Sequence, residues 1–190
     1  MAVIITNEMR KEILRVFAAT KPANTRFAAL DGIRKSLLTN ARLKYANQLE
    51  SDEVAVLLFD DTELKSGKRG FLLTNKRLYS DSIKPVSLVD IKRMTPSKTL
   101  LAGNIHVTTH ANVLHPIMLV NARSNDKLLG VFSVLDTVTK LLIANMPKDA
   151  FPLSEELGAY ETVICIGCAV RFYKRIGEKR YCEYCGQAAT

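Results

Sequence analysis

The stretch DEVAVLLFDDTELKSGKRGFLLTNKRLY, Asp52–Tyr79, carries the clearest fold signal in the chain. Glu53–Asp61 is a short apolar run rich in residues that favour β-strands. Lys68–Asp81 contains two further runs of this kind, on either side of Thr74, Asn75 and Lys76. The TELKSG segment between the first two runs has the polar, glycine-containing composition of a turn. The stretch therefore predicts three strands in succession.

The same pattern continues downstream and then gives way to a helix. Three more strands are predicted, at Lys84–Met94, Asn104–His110 and Leu114–Ala122. After Ser124 or Asn125, either of which suits a helix N-cap, the apolar residues recur at helical spacing until Pro147. The predicted buried face of this helix consists of Leu128, Val131, Leu135, Val138 and Leu142.

Residues 1–50 are predicted to be helical. Met9, Ile13, Val16 and Phe17 follow the spacing of a one-faced helix, which the KPANT segment ends. A second helix is predicted from the apolar residues Phe27, Leu30, Ile33, Leu37, Leu38, Ala41 and Tyr45. We expect the two helices to form a hairpin whose apolar faces pack on the strands, and a groove for a partner is the alternative.

The order of these elements and several of their sequence segments resemble those of a known family. DEVAVLLFDDTELKSGKRGFLLTNKRLY, followed by VSLVDIKRM, is similar to bacterial pleckstrin-homology-like (PH-like) domains, over about Ser51 to Met146. The resemblance implies an α+β fold in which an antiparallel β-barrel is capped by a C-terminal helix. It also implies a membrane- or protein-associated module rather than an enzyme.

The resemblance draws attention to the first loop of the barrel. In lipid-binding members, basic residues on this loop hold inositol phosphates, and the matching positions here are Lys65, Lys68 and Arg69. These three residues are the candidate anion- or lipid-binding site. Three acidic residues close by, Asp60, Asp61 and Glu63, are expected to oppose an anion. An ordinary charged loop is the alternative.

All four cysteines of the chain lie near its C-terminus, in two C-x2-C pairs with 13 residues between them. Two such pairs can supply the four thiolates that tetrahedral zinc accepts, and iron is the alternative metal. Because four cysteines leave no position open for water, one structural Zn²⁺ is predicted. The predicted ligands are Cys165, Cys168, Cys182 and Cys185.

The cysteine segment, CIGC followed by GEKRYCEYCG, resembles a small bacterial zinc ribbon. Gly186 matches the glycine that usually follows the second pair, whereas Ala169 departs from the pattern after the first. Four regions are thus predicted: the helical hairpin 1–50, the PH-like domain 51–146, a linker 147–160 and the zinc ribbon 161–190.

Charge and motif content restrict the function. The net charge is +8, and residues 1–50 hold nine Lys and Arg against four Asp and Glu, whereas residues 151–190 hold five of each. A C-terminal segment without net charge is less suited to binding phosphates than a basic one. The chain has no Ser–His–Asp order, no paired carboxylates in an apolar setting and no phosphate-cradling glycine motif. We therefore predict that it is not an enzyme.

The cysteine pattern and the lack of an export signal favour a reducing compartment, so a cytoplasmic location is predicted. The predicted function is that of a non-enzymatic adaptor, in which the PH-like module and the ribbon recognise another macromolecule. A protein is the expected partner. The alternatives are a nucleic acid, bound by the ribbon and the basic N-terminal helices, or an anionic membrane surface, bound by the first loop.

Overall fold

The computed structural model describes residues 2–20 and 26–147, together with the backbone of four short strands closer to the C-terminus. The chain divides into two compact units, Met1–Met146 and Pro147–Thr190. The predicted linker 147–160 lies, apart from its two end residues, outside the described residues.

The first unit is a mixed α+β structure. Its described part contains the helices α1 (Asn7–Thr20), α2 (Lys35–Lys44) and α3 (Asn125–Ala144). Its strands are β1 (Phe27–Ala29), β2 (Ala55–Asp60), β3 (Gly70–Thr74), β4 (Arg77–Ser80), β5 (Ile83–Ser87), β6 (Ile91–Lys98), β7 (Gly103–Thr109) and β8 (Leu114–Leu119). Strands that are neighbours within a sheet pair antiparallel.

The strands form two sheets rather than the closed barrel that was predicted. One sheet has the order β1-β2-β3-β4-β5 and the other the order β6-β7-β8. The predicted strand Lys84–Met94 is interrupted by a 3₁₀ turn at Leu88–Asp90. There the backbone N–H of Leu88 donates to the carbonyl of Lys76 and its side chain is fully buried. This anchored turn separates β5 from β6, and β8 then contacts β3 and β5 of the larger sheet.

The predicted helical hairpin is also corrected. Phe27–Ala29 is not helical but forms the edge strand β1, in which Phe27 lies opposite Phe59 of β2. The Phe27 ring packs edge-on against Phe59 and Phe71, with centroid distances of 5.8 and 5.7 Å. Such an aromatic cluster favours the strand over the helix that the residue spacing suggested. Helix α1 packs instead against α3 and buries Ile13 completely.

The larger sheet is covered on both faces. Leu58, Leu72 and Tyr79 form one cluster with Ala41 and Tyr45, so α2 and the residues after it cover that face. On the other face the Phe59 ring stacks on Phe71. Burial on both faces explains why β3 is buried along its whole length.

Helix α3 agrees with its prediction. The Ser124 hydroxyl accepts the backbone N–H of Lys127, which caps the helix at the expected residue. Its buried face includes every residue predicted for it, namely Leu128, Val131, Leu135, Val138 and Leu142. The helix packs against β6, β7 and the 3₁₀ turn at Leu88–Asp90, so it covers the region where the chain passes from one sheet to the other.

In the second unit, β9 (Tyr160–Ile164) pairs antiparallel with β10 (Arg171–Arg175), and β11 (Arg180–Tyr181) pairs with β12 (Ala188–Ala189). The predicted zinc ligands Cys165, Cys168, Cys182 and Cys185 lie outside the described residues.

Candidate anion-binding surface

The loop that joins β2 to β3, residues 61–69, is held by hydrogen bonds at its base. Thr62 donates its backbone N–H and its hydroxyl to Asp60 Oδ1, at 3.0 and 2.6 Å. The same Thr62 oxygen accepts the backbone N–H of Ser66 at 2.7 Å. These contacts close residues 62–66 into a turn, as short polar side chains commonly do.

Helix α2 is fastened directly to this loop. Asn40 Nδ2 donates to the Ser66 carbonyl at 2.7 Å. At Gly67, whose φ is +70°, an added Cβ would lie 2.7 Å from the carbonyl oxygen of Leu37. A glycine is needed here both for the positive φ and for the close approach of the two backbones. Loop and helix therefore form one continuous surface.

The three cations predicted for the loop have different surroundings. Lys65 and Lys68 are exposed, and neither forms an ion pair within the described part of the chain. Arg69 lies 3.4 Å from the carboxylate of Asp81, which precedes β5. The loop thus presents two free lysines and one arginine whose charge is already partly balanced.

Two of the three acidic residues expected to oppose an anion are directed inward. Asp60 and Asp61 are only 1% and 2% exposed, and Glu63 alone remains on the surface. The Asp61 carboxylate accepts the backbone N–H groups of Val120 and Asn121. Burial raises the pKa of Asp61, an effect that these N–H donors offset only in part. The loop surface is therefore more basic than its sequence suggests.

Helix α2 adds cations that the sequence prediction did not place at the site. Residues 32–49 contain no Asp or Glu, and the four basic residues among them are all exposed, namely Arg34, Lys35, Arg42 and Lys44. Residues three and four positions apart share one side of a helix, so Leu43 and Lys44 lie on the side where Asn40 contacts the loop. In the sequence, this long run without acidic residues was the feature that could have indicated a basic surface on α2.

Exposed leucines accompany these cations. Leu64 in the loop is 91% exposed and Leu43 on α2 is 73% exposed. We call the set the loop–helix face, and its members are Arg34, Leu43, Lys44, Leu64, Lys65 and Lys68.

A further apolar pair lies at the same end of the unit. Asp61, at the start of the loop, accepts hydrogen bonds from the backbone of Val120 and Asn121, which follow β8. Leu119 at the end of β8 pairs with Gly103 at the start of β7. The turn that leads into β7 contains Leu100 and Leu101, which are 96% and 73% exposed. Apolar side chains thus project from two neighbouring loops at this end.

The described residues provide neither a cluster of metal-ligating side chains nor a membrane-spanning helix. Within residues 2–20 and 26–147, no group of three or more His, Cys, Asp and Glu residues is placed to hold a metal ion. None of the helices that the structure describes is both long and apolar enough to cross a membrane.

No protein-family model, curated protein or solved structure matches this chain. The PH-like and zinc-ribbon resemblances therefore stay predictions.

Proposed function

We propose that this chain is a non-enzymatic binding module that docks on an anionic membrane surface through the loop–helix face. The observation that carries the proposal is the mixture of exposed leucines and unpaired lysines on a loop and a helix that the Asn40–Ser66 hydrogen bond connects. A basic residue close to an anionic bilayer contributes about 1 kcal/mol of binding free energy. Leu43 and Leu64 add the apolar contact that an interfacial site requires.

The leucines favour a bilayer over a nucleic acid. Phosphate backbones are bound by cations and polar groups, and a leucine exposed among those cations contributes little to such a contact. At a bilayer the same leucine enters the interface while the flanking lysines keep their ammonium groups at the headgroups. The loop–helix face has this second arrangement, because Leu64 adjoins Lys65 and Leu43 adjoins Lys44.

The C-terminal unit has a separate proposed role. Each C-x2-C pair falls, in sequence, between two strands that pair antiparallel, β9 with β10 and β11 with β12. This order supports a zinc ribbon with one structural Zn²⁺ bound by the four cysteines. The C-terminal unit is the proposed site for the protein partner, since residues 151–190 hold five acidic and five basic residues, a balance that suits a protein better than a phosphate backbone.

Vesicle co-sedimentation of the full chain tests the membrane proposal. We expect binding to vesicles of phosphatidylcholine with phosphatidylserine and none to phosphatidylcholine alone. Lys65→Gln with Lys68→Gln should weaken binding about 30-fold, since two cations are lost. Lys92→Gln with Arg93→Gln removes the same charge from the start of β6, outside the loop–helix face, and should change binding little.

A second pair of variants tests the apolar contribution. Leu64→Gln should weaken vesicle binding about tenfold without affecting stability, because the side chain is almost fully exposed in the free protein. Val113→Gln, at a half-exposed valine in the turn before β8, is the matched control. Equal losses of binding in the Lys65/Lys68 and the Lys92/Arg93 double variants would show that only net charge matters. Tighter binding to duplex DNA than to vesicles at the same salt would favour the nucleic-acid alternative.

A further inference from the structure

The turn between β6 and β7, Thr99–Ala102, is closed tightly at its base. Thr99 donates its backbone N–H and its hydroxyl to the Ala102 carbonyl, at 2.9 and 3.0 Å. Leu100 and Leu101 are therefore the two central residues of the turn, and both are exposed. Tight turns usually carry Gly, Asn or Asp at these positions, because those residues suit the backbone. The turn itself does not require two leucines, and an adjacent exposed pair indicates a contact surface.

This turn and the β2–β3 loop are fastened to the same stretch of chain. At Gly103, directly after the turn, an added Cβ would lie 2.5 Å from the Ala122 carbonyl oxygen. The two residues before Ala122 donate their backbone N–H groups to Asp61 at the start of the loop. Because residues 120–122 contact both, the Leu100–Leu101 pair lies at the same end of the first unit as the loop–helix face.

The sequence around the two leucines is basic. Residues 91–125 contain four Lys and Arg and no Asp or Glu. Two of the four cations lie at the base of the turn, since Lys98 pairs with Gly103 and Arg123 follows Ala122. Both are exposed, and neither forms an ion pair with another residue that the structure describes. The turn thus has apolar side chains at its tip and positive charges at its base.

We infer that the Leu100–Leu101 turn enters the apolar layer of an anionic bilayer together with Leu64, so that the first unit docks at two points. The inference rests on the proposed membrane binding and adds a second contact to it. In this arrangement the leucines reach the acyl chains, while Lys98 and Arg123 stay at the level of the headgroups. Two separate contacts restrict how the first unit tilts on the membrane, whereas a single loop lets it pivot.

The charges favour a bilayer over a second copy of the chain as the occupant of this turn. A symmetric contact between two copies brings the same surface of each together, so Lys98 and Arg123 would face their own equivalents. Like charges placed opposite each other in an interface destabilise it. An anionic bilayer instead offers opposite charge to these cations and acyl chains to the leucines.

Fluorescence of full-length variants tests the inference. The chain contains no tryptophan, so a single introduced tryptophan reports its own surroundings. Leu101→Trp places the reporter in the turn, Leu64→Trp places it in the loop, and Val113→Trp places it at the other end of β7. With vesicles of phosphatidylcholine and phosphatidylserine, the emission of the first two variants should shift to the blue and be quenched by brominated acyl chains. Val113→Trp should show neither change.

Vesicle co-sedimentation measures how much the turn contributes to binding. Leu100→Gln with Leu101→Gln should weaken binding about 100-fold, since each lost leucine weakens it roughly tenfold. Val113→Gln with Leu114→Gln changes an adjacent, half-exposed pair at the other end of β7 and should leave binding unchanged. All four side chains are exposed, so the variants should fold, which circular dichroism checks.

The outcomes separate this inference from the membrane proposal. A response of Leu64→Trp without one of Leu101→Trp would overturn the inference and leave the membrane proposal standing. No vesicle binding by the wild-type chain would overturn both. A blue shift of Leu101→Trp that appears at high protein concentration without vesicles would show that copies of the chain cover the turn, which also contradicts the inference.

Discussion

Hydrogen bonds join Asp61 to Asn121 between the two sheets, although the residues are 60 positions apart in sequence. The Asp61 Oδ1 accepts the backbone N–H of Asn121 at 2.7 Å, and Asn121 Nδ2 donates to the backbone carbonyl of Asp61 at 2.6 Å. Asp61 Oδ2 also accepts the N–H of Val120 at 2.7 Å. Because Asp61 follows β2 and Asn121 follows β8, this contact joins the larger sheet to the smaller one beneath the loop–helix face.

Removal of the Asp61 carboxylate should therefore destabilise the whole first unit. Asp61→Ala leaves the N–H groups of Val120 and Asn121 without acceptors, which costs about 3 kcal/mol of unfolding free energy. Urea unfolding followed by circular dichroism measures this loss. Glu63→Ala changes an exposed acidic residue in the same loop and serves as the control. Equal stability of the two variants would contradict the role assigned to Asp61.

Tyr79 of β4 belongs to a buried hydrogen-bond network. Its hydroxyl donates to Glu53 Oε1 at 2.8 Å, and the other oxygen of Glu53 accepts the Thr74 hydroxyl at 2.6 Å. Arg77 lies 3.2 Å from the same Glu53 carboxylate and also pairs with Glu50. Burial raises the pKa of Tyr79 to about 12.

This shifted pKa predicts a loss of stability at alkaline pH. An unfolded tyrosine ionises at a pH of about 10, so below that pH Tyr79 is protonated in both states and its contribution to stability is complete. Between pH 10 and 12 the unfolded chain releases the proton first, and the free energy of unfolding falls as the pH rises. Urea unfolding from pH 8 to 11 should show a steeper decline for the wild type than for Tyr79→Phe. Parallel curves would show that Tyr79 ionises equally in both states.

The contact between α2 and the loop should depend on Gly67. Gly67→Ala combines a positive φ with a Cβ placed 2.7 Å from the Leu37 carbonyl, so we expect a loss of about 2 kcal/mol of unfolding free energy. Hydrogen exchange at the Ser66 N–H, which donates to the Thr62 hydroxyl, should also become faster as the loop separates from Asn40 and its turn opens. Gly32→Ala has no atom within 4 Å of its Cβ and is the matched control. Similar stability of both variants would contradict close contact at Gly67.

The elements with strong local signals were predictable from the sequence. The apolar run at Glu53–Asp61 and the periodic segment after Ser124 correspond to β2 and α3. β1 was missed because it has three residues, too few for a period of two to appear, and because Phe27 fits a helical spacing equally well. The break at Leu88 depends on a hydrogen bond to Lys76, a contact that local pattern does not reveal.

The candidate surface was predictable only in part. Lys65 and Lys68 followed from a family resemblance, but their association with α2 rests on the Asn40–Ser66 contact, which spans 26 residues. Sequence spacing likewise could not show that Asp60 and Asp61 face inward, because a charged residue at a strand end is usually exposed. Residues 60–69 hold three acidic and three basic residues, and the burial of Asp60 and Asp61 leaves the exposed charges of this segment net positive.

The predicted zinc site leads to the final prediction. The purified chain should carry one zinc per molecule by elemental analysis, since a four-cysteine site binds zinc with about 10–16 kcal/mol of free energy at neutral pH. Cys182→Ser and Cys168→Ser should each abolish zinc binding, because each pair of cysteines supplies half of the tetrahedral site. The thermal transition of the Met1–Met146 unit should change little, because all four ligands belong to the Pro147–Thr190 unit. A metal-free chain with two disulfides, or one that carries iron, would contradict the zinc prediction.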